Sequence, residues 1–467
     1  MTLRLPRPAL ALSAVALVVG VYGTLAVRRI FLALPKPARA SLIHAVAGPV
    51  AEWRFGSTRD PETGPSLPAE LDGKTSQAAL QDALAHTLPG RKIGIVDFDN
   101  PLLVRSQFEF AWQDPADPAL DALIERLGLA KFRDISHGEV EMFRALASHL
   151  RNRAPHLDLI AGRTIVDVGQ SANEILDHVD AGNTLTCYYY SLLLVQSLAA
   201  LGWPSRLVGS GPDQRDWHAT VEVFSHTHRK WMLVDTDYDL IYERDGAPLN
   251  AWDVHDTFMA GYAQYRRAVF AQDAADTLAG RAQYFREHPE LTAGIAFLRG
   301  TVQAQRIPDM MATTEGGMLL GAYWTYSIGL RNDYLSVRYP PGHPRAAEEL
   351  AMGDLGAGWL AEYDGSFTNR PGDLYFSVDT VQMAFEPGGE PGSLRVSLGT
   401  MTPGFAGFRV QMDAGQPVTQ TAETLAWPLW PGAHTLKVWP VNRRGVEGSV
   451  SQVAVVYDTT PTPVPRP

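Results

Sequence analysis

The sequence predicts an α+β protein in which an apolar helix packs on an antiparallel sheet and a β-sandwich follows at the C-terminus. Three observations carry this. "LTCYYYSLLLVQSLAALGWP" (185–204) is apolar nearly all round and stops at Gly202 and Pro204, as the buried central helix of a domain does. Two β-prone runs, "HATVEVF" (218–224) and "WMLVDTD" (231–237), flank the polar "SHTHRK" and read as an antiparallel hairpin. From about residue 374 the chain changes to short β-prone runs separated by Gly and Pro turns.

In chain order, the first feature is an uncharged run at 9–27, bounded by Arg4 and Arg7 before it and by Arg28 and Arg29 after it. Its length approaches the ~20 residues that cross a bilayer as a helix. Residues 1–40 are therefore expected to be a membrane anchor, with a cleaved signal ending near "TLA" (24–26) as the alternative. The arginine count slightly favours a cytoplasmic body. An N-terminal anchor on an otherwise soluble chain is usually an export device, so the body is expected in the periplasm or outside the cell.

Residues 41–117 read as a tether and lead-in, rich in turn formers. Helical patterning starts at "PALDALIERLGLAKF" (118–132), and "SHGEVEMFRALASHLRNR" opens with Ser136 and Glu139 in capping-box spacing. "ANEILDHV" is a further short helix. These elements, the apolar helix and the hairpin make a domain at 118–260. Mostly helical sequence is expected over about 253–330, so 261–373 reads as a helical extension and linker. A sandwich of the immunoglobulin-like kind occupies 374–459, and the Pro-rich tail covers 460–467.

With 467 residues, 45% hydrophobic and 19% charged, the chain has the composition of a globular protein with more than one core. A net charge of -11 argues against a nucleic-acid partner, because phosphate-binding surfaces are basic.

Cys187 is the only cysteine. It stands where the apolar helix begins, and a helix N-terminus offers partial positive charge and free amides that favour a thiolate. The same amides can hold the oxyanion of a tetrahedral intermediate. A base and its orienting partner come from the hairpin, as His218 and Asp235, with Asp237 and Asp239 as alternative acids. Parity tests the pairing. A four-residue loop sets His218 opposite Asp235, whereas a six-residue loop sets it opposite Asp237 and leaves Asp235 diagonal. Either register keeps imidazole and carboxylate in reach, and an odd loop separates them.

These residues, with "LAALGWPSRLVGS", "WHATVEV" and "KWMLVDTDYDLIYERDG", resemble the transglutaminase-like superfamily over about 134–250. That family is a papain-like group with a Cys-His-Asp triad. Its G-(I/W)-P-(A/S)-R-x-V, H-A-W-x-E-V and W-x-x-x-D-P patterns follow the nucleophile helix in that order. The resemblance implies a papain-like core, with Cys187 as nucleophile, His218 as general base and acid, and Asp235 as the partner of the imidazole. It implies hydrolysis or acyl transfer at an amide or ester bond, with no metal or organic cofactor needed.

Leu185, Tyr188–Tyr190, Thr220 and Thr236 depart from the family pattern. Gln170 is the candidate side-chain donor of the oxyanion hole. "DGAPLNAWDV" and the sandwich look like envelope proteins of polysaccharide systems, so the expected partners are an amide- or ester-bearing envelope peptide or protein, or a polysaccharide. The competing reading is a non-catalytic, membrane-anchored scaffold that binds peptide or glycan. Arg206 is read as half of a structural ion pair, and "HTH" (226–228) as solvated turn residues. Trp427, Trp430 and Trp439 are read as core residues or a sugar platform.

Overall fold

The computed structural model describes residues 63–156, 170–211, 218–271, pieces of 280–300, 325–335, 349–352, 366–368 and 370–458. The run at 9–27 and the tail at 460–467 lie outside the described residues. Among the described residues, no helix is long and apolar enough to cross a membrane.

Helix α1 (Gln77–Thr87) and strand β1 (Lys92–Asp99) come first. Three amphipathic helices follow, α2 (Pro118–Leu127), α3 (Glu139–Arg151) and α4 (Ala172–Asp180). Asp117 caps α2 through the amide of Ala119, Pro118 fits its first position, and Gly128 at φ 64° ends it. Helix α3 departs from the expected capping box. Gly138 occupies its cap, and Glu139 turns inward to accept from Ser225 Oγ at 2.8 Å and the Thr227 amide at 3.1 Å. The Ser136 amide that a capping box would offer Glu139 instead donates to Asp134 Oδ1 at 2.9 Å.

The apolar helix is α5 (Cys187–Leu201), buried without a break from Tyr189 to Leu198. Helices α2, α3 and α4 pack Leu120, Leu146 and Ile175 into the core it occupies, and the sheet contributes Val221, Val223, Met232 and Val234. Burial on all sides explains why this helix has no polar stripe.

The sheet runs through β2 (Ser205–Gly211), β3 (His218–Ser225), β4 (Lys230–Asp235), β5 (Leu240–Arg244) and the two-residue β6 (Ala247–Pro248), all antiparallel. Helix α6 (Ala251–Ala271) follows. Then β7 (Ile295–Arg299) pairs with β5, β8 (Thr325–Gly329) with β2, β9 (Glu349–Met352) with β8, and β10 (Ser366–Thr368) with β9, for nine strands among the described residues. The helical expectation for 253–330 thus holds for α6 and fails at β7 and β8. "IAFLR" is a short apolar run, which periodicity alone cannot assign, and the free edge of β5 makes it a strand.

The C-terminal strands are β11 (Val381–Pro387), β12 (Ser393–Thr400), β13 (Phe405–Met412), β14 (Val418–Gln420), β15 (Thr424–Pro428), β16 (Gly432–Asn442) and β17 (Ser451–Asp458). They form sheets ordered β1-β17-β16-β13-β14 and β11-β12-β15. Phe385, Val396 and Trp427 meet Phe408, Val438 and Val453 in one core, which Leu80 and Leu84 of α1 complete. Part of the stretch read as tether and lead-in therefore supplies a strand and a helix to this unit. As an edge strand, β1 carries a weak burial alternation and so a weak sequence signal.

Gly202 ends α5 at φ 94° and abuts this unit. Its carbonyl accepts from Asn442 Nδ2 at 2.7 Å, and a Cβ there would lie 2.7 Å from Arg444 Cβ. Gly202→Ala is expected to cost about 1–3 kcal/mol, read from the denaturant midpoint. A loss within error of zero would show that the cap is free to relax.

"HTH" lies in the turn at 226–229 as expected, with Thr227 exposed and His228 half-buried, and only His226 departs from the solvated reading. His226 is buried, stacks on Trp203 at 4.6 Å, and lies 2.9 Å from Asp379 Oδ2, so it clamps the hairpin to the segment entering β11. Of the three tryptophans, Trp427 and Trp439 are buried and Trp430 is 53% exposed, edge-on to His434.

Candidate active site

Cys187 is the first residue of α5 and is partly exposed. Thr186 precedes it in extended conformation and makes no side-chain cap, so the first-turn amides are not taken by that side chain. Leu185 is held by its amide on the Pro155 carbonyl at 3.1 Å and pairs with His156 in a short parallel bridge. Its side chain is core, which explains a leucine at this position. Ser191 Oγ donates to the Ala219 carbonyl at 2.8 Å, tying α5 to the strand that carries the histidine.

The hairpin register joins Val221 to Val234 and Phe224 to Trp231, the register of the six-residue-loop alternative, and Ser225 pairs with Lys230 as well, which leaves a four-residue turn at 226–229. In this register Asp235 is diagonal to His218 on one face of the sheet, and Asp237 lies just past the end of β4 in the turn at 236–239 that leads to β5. His218 Nε2 lies 3.0 Å from Asp235 Oδ2, and the ring stacks on Tyr238 at 4.5 Å. Asp235 Oδ1 accepts from the Tyr238 amide at 2.9 Å, so both of its oxygens are committed. With Nε2 engaged, Nδ1 is the nitrogen left for the thiol, and donor atoms of Cys187, His218 and Asp237 all lie within 4.8 Å of one another.

Electrostatics follow from burial and partners. Burial opposes charge on His218, but the charge and hydrogen bond of Asp235 outweigh it, and the imidazole holds its proton well above its ordinary range. Burial pushes the Asp235 carboxyl up, against the pull of His218 and the Tyr238 amide. Burial likewise raises Asp237, but His156, His218 and Arg151 overcome it and hold its carboxyl below the usual range.

Asp239, the third acid of the run, accepts from Ser148 Oγ and takes no part in the grouping. Gln170 lies beside α5, where its Nε2 donates to Tyr188 Oη at 2.9 Å. Tyr190 is core, donating to the Ala154 carbonyl at 2.8 Å. Sequence reasoning did not single out His156, whose Nε2 lies 3.2 Å from Asp237 Oδ2, or Arg151, whose Nε lies 3.4 Å from Oδ1. Neither carries a local motif. Asp237 is one of the alternative acids that the sequence offers.

A thiol at a helix start, an imidazole beside it and a buried carboxylate behind the imidazole are the parts of a cysteine nucleophile with its base. No protein-family model matches the chain, and no curated protein matches it.

Proposed function

We propose that the protein is a transglutaminase-like cysteine enzyme acting on an amide or ester bond through a thioester. The observation that supports it is His218, which reaches toward Cys187 while Asp235 binds its Nε2. The thiol proton passes to Nδ1 and the thiolate adds to the carbonyl carbon. First-turn amides of α5 receive the oxyanion. As the intermediate collapses, His218 returns the proton to the leaving amine or alkoxide. Water or an amine then gives its proton to His218 and resolves the thioester, yielding acid or a new amide.

On this reading the run at 9–27 anchors the protein, and its body lies outside the cytoplasm. The sandwich is immunoglobulin-like, and the substrate is an amide- or ester-bearing peptide or protein of the envelope. A polysaccharide is a further candidate partner.

The test needs no substrate. With chelator present and near neutral pH, His218→Ala is expected to slow alkylation of Cys187 by iodoacetamide at least about tenfold. Equal rates in both proteins would sink the enzyme and favour the non-catalytic scaffold.

A further inference from the structure

The proposed reaction leaves one buried group beside the thiol unused, the carboxylate of Asp237. It is 1% exposed, and neither oxygen makes an aligned hydrogen bond. Arg151 and His156 hold it at ion-pair distances of 3.4 and 3.2 Å, which fix its position and leave acceptor capacity on both oxygens. A buried carboxylate in that condition is costly unless something further binds it. Cys187 and His218 are its neighbours, each with a donor atom within 4.8 Å of its own.

The geometry points to a Zn²⁺ site made by Cys187 Sγ, His218 Nδ1 and an oxygen of Asp237, with the fourth position open to water. Tetrahedral zinc with its usual bond lengths places donors roughly 3.3–3.6 Å apart. Side-chain rotations of about 1 Å bring this set to that spacing. One thiolate, one imidazole and one carboxylate suit a borderline-soft ion, whereas Mg²⁺ and Ca²⁺ take oxygen ligands. Asp235 on the far ring nitrogen is the outer partner that metal-binding histidines generally have. The partial exposure of Cys187 gives the ion a way in. Coordination takes the thiolate and the neutral imidazole, so the one proton shared by that pair leaves to solvent. Zn²⁺ is then no cofactor of the thioester chemistry but an occupant that ties up its nucleophile.

The experiment titrates the metal-free full chain with Co²⁺ as a spectroscopic substitute. A thiolate-to-cobalt charge-transfer band saturating at one ion per chain is expected, displaced by Zn²⁺ and absent in Cys187→Ser. Asp237→Asn is expected to weaken binding at least about tenfold. No band in the wild type, or unchanged affinity in Asp237→Asn, would overturn the site. Should that variant not fold, Zn²⁺ protection of the wild-type thiol from iodoacetamide decides, and an unprotected thiol overturns the site.

Inhibition by the ion rests on the cysteine-enzyme reading, whereas binding does not. A cobalt band with a thiol indifferent to His218 would defeat the enzyme alone. A His218-dependent thiol without the band would defeat the metal site alone.

Discussion

Asp235→Asn is expected to slow acylation of Cys187 by an activated ester on the order of 10²–10⁴-fold, by analogy with the carboxylate of serine-protease triads. The cause is a tautomer. Asp235 accepts from the Tyr238 amide on one oxygen and from His218 Nε2 on the other. An asparagine keeps its single oxygen on the fixed backbone donor and turns its NH₂ toward Nε2. Nε2 must then accept, the ring proton moves to Nδ1, and the thiol loses its base. A burst of released alcohol measured by stopped flow reads this step, and a rate within threefold of wild type would refute the orienting role.

The same substitution has a pH signature. The folded His218 value is raised, so its contribution to stability is full below the unfolded imidazole value of about 6.5 and fades as pH rises through the folded one. In Asp235→Asn this decline with rising pH should flatten, as followed by denaturant midpoints across the pH range.

Arg206→Ala is expected to cost about 3–5 kcal/mol, the price of an unpaired buried charge. Arg206 is 1% exposed, bonds Glu222 Oε2 through Nε at 3.0 Å and Nη2 at 2.7 Å, and donates to the Leu374 carbonyl. Its guanidinium lies 4.0 Å from the Trp231 ring. Removing it strands Glu222, whose other oxygen accepts from the Ala251 amide at 2.7 Å. An apolar pair, Arg206→Met with Glu222→Leu, should recover much of the loss, because neither charge then remains buried. Chemical denaturation of the three proteins decides. A single-variant loss below about 1 kcal/mol would mean that water reaches the vacated site.

Much of the fold that positions the site was legible in local patterns. Apolarity on nearly every face between Thr186 and Gly202 marked α5, because a helix without a polar face has to be central. Short β-prone runs around a polar turn marked β3 and β4, and either even-length connection between them kept His218 within reach of Asp235. Elements held mainly by partners distant in sequence were not legible. Strand β1 owes its place to β17, and β7 owes its place to the edge of β5.

By itself, then, the sequence determined which residues can act together: a thiol at a helix start, and an imidazole and an acid on one strand face. Those follow from the fixed periods of helix and strand. Only the tertiary structure decided between registers, giving His218 Nε2 to Asp235 and placing Asp237 beside the thiol. It alone brought in Arg151 and His156 from upstream of α4 to hold that carboxylate, and it turned His226 inward onto Asp379. Charge pairing between distant segments has no period, and packing alone selects which buried groups meet.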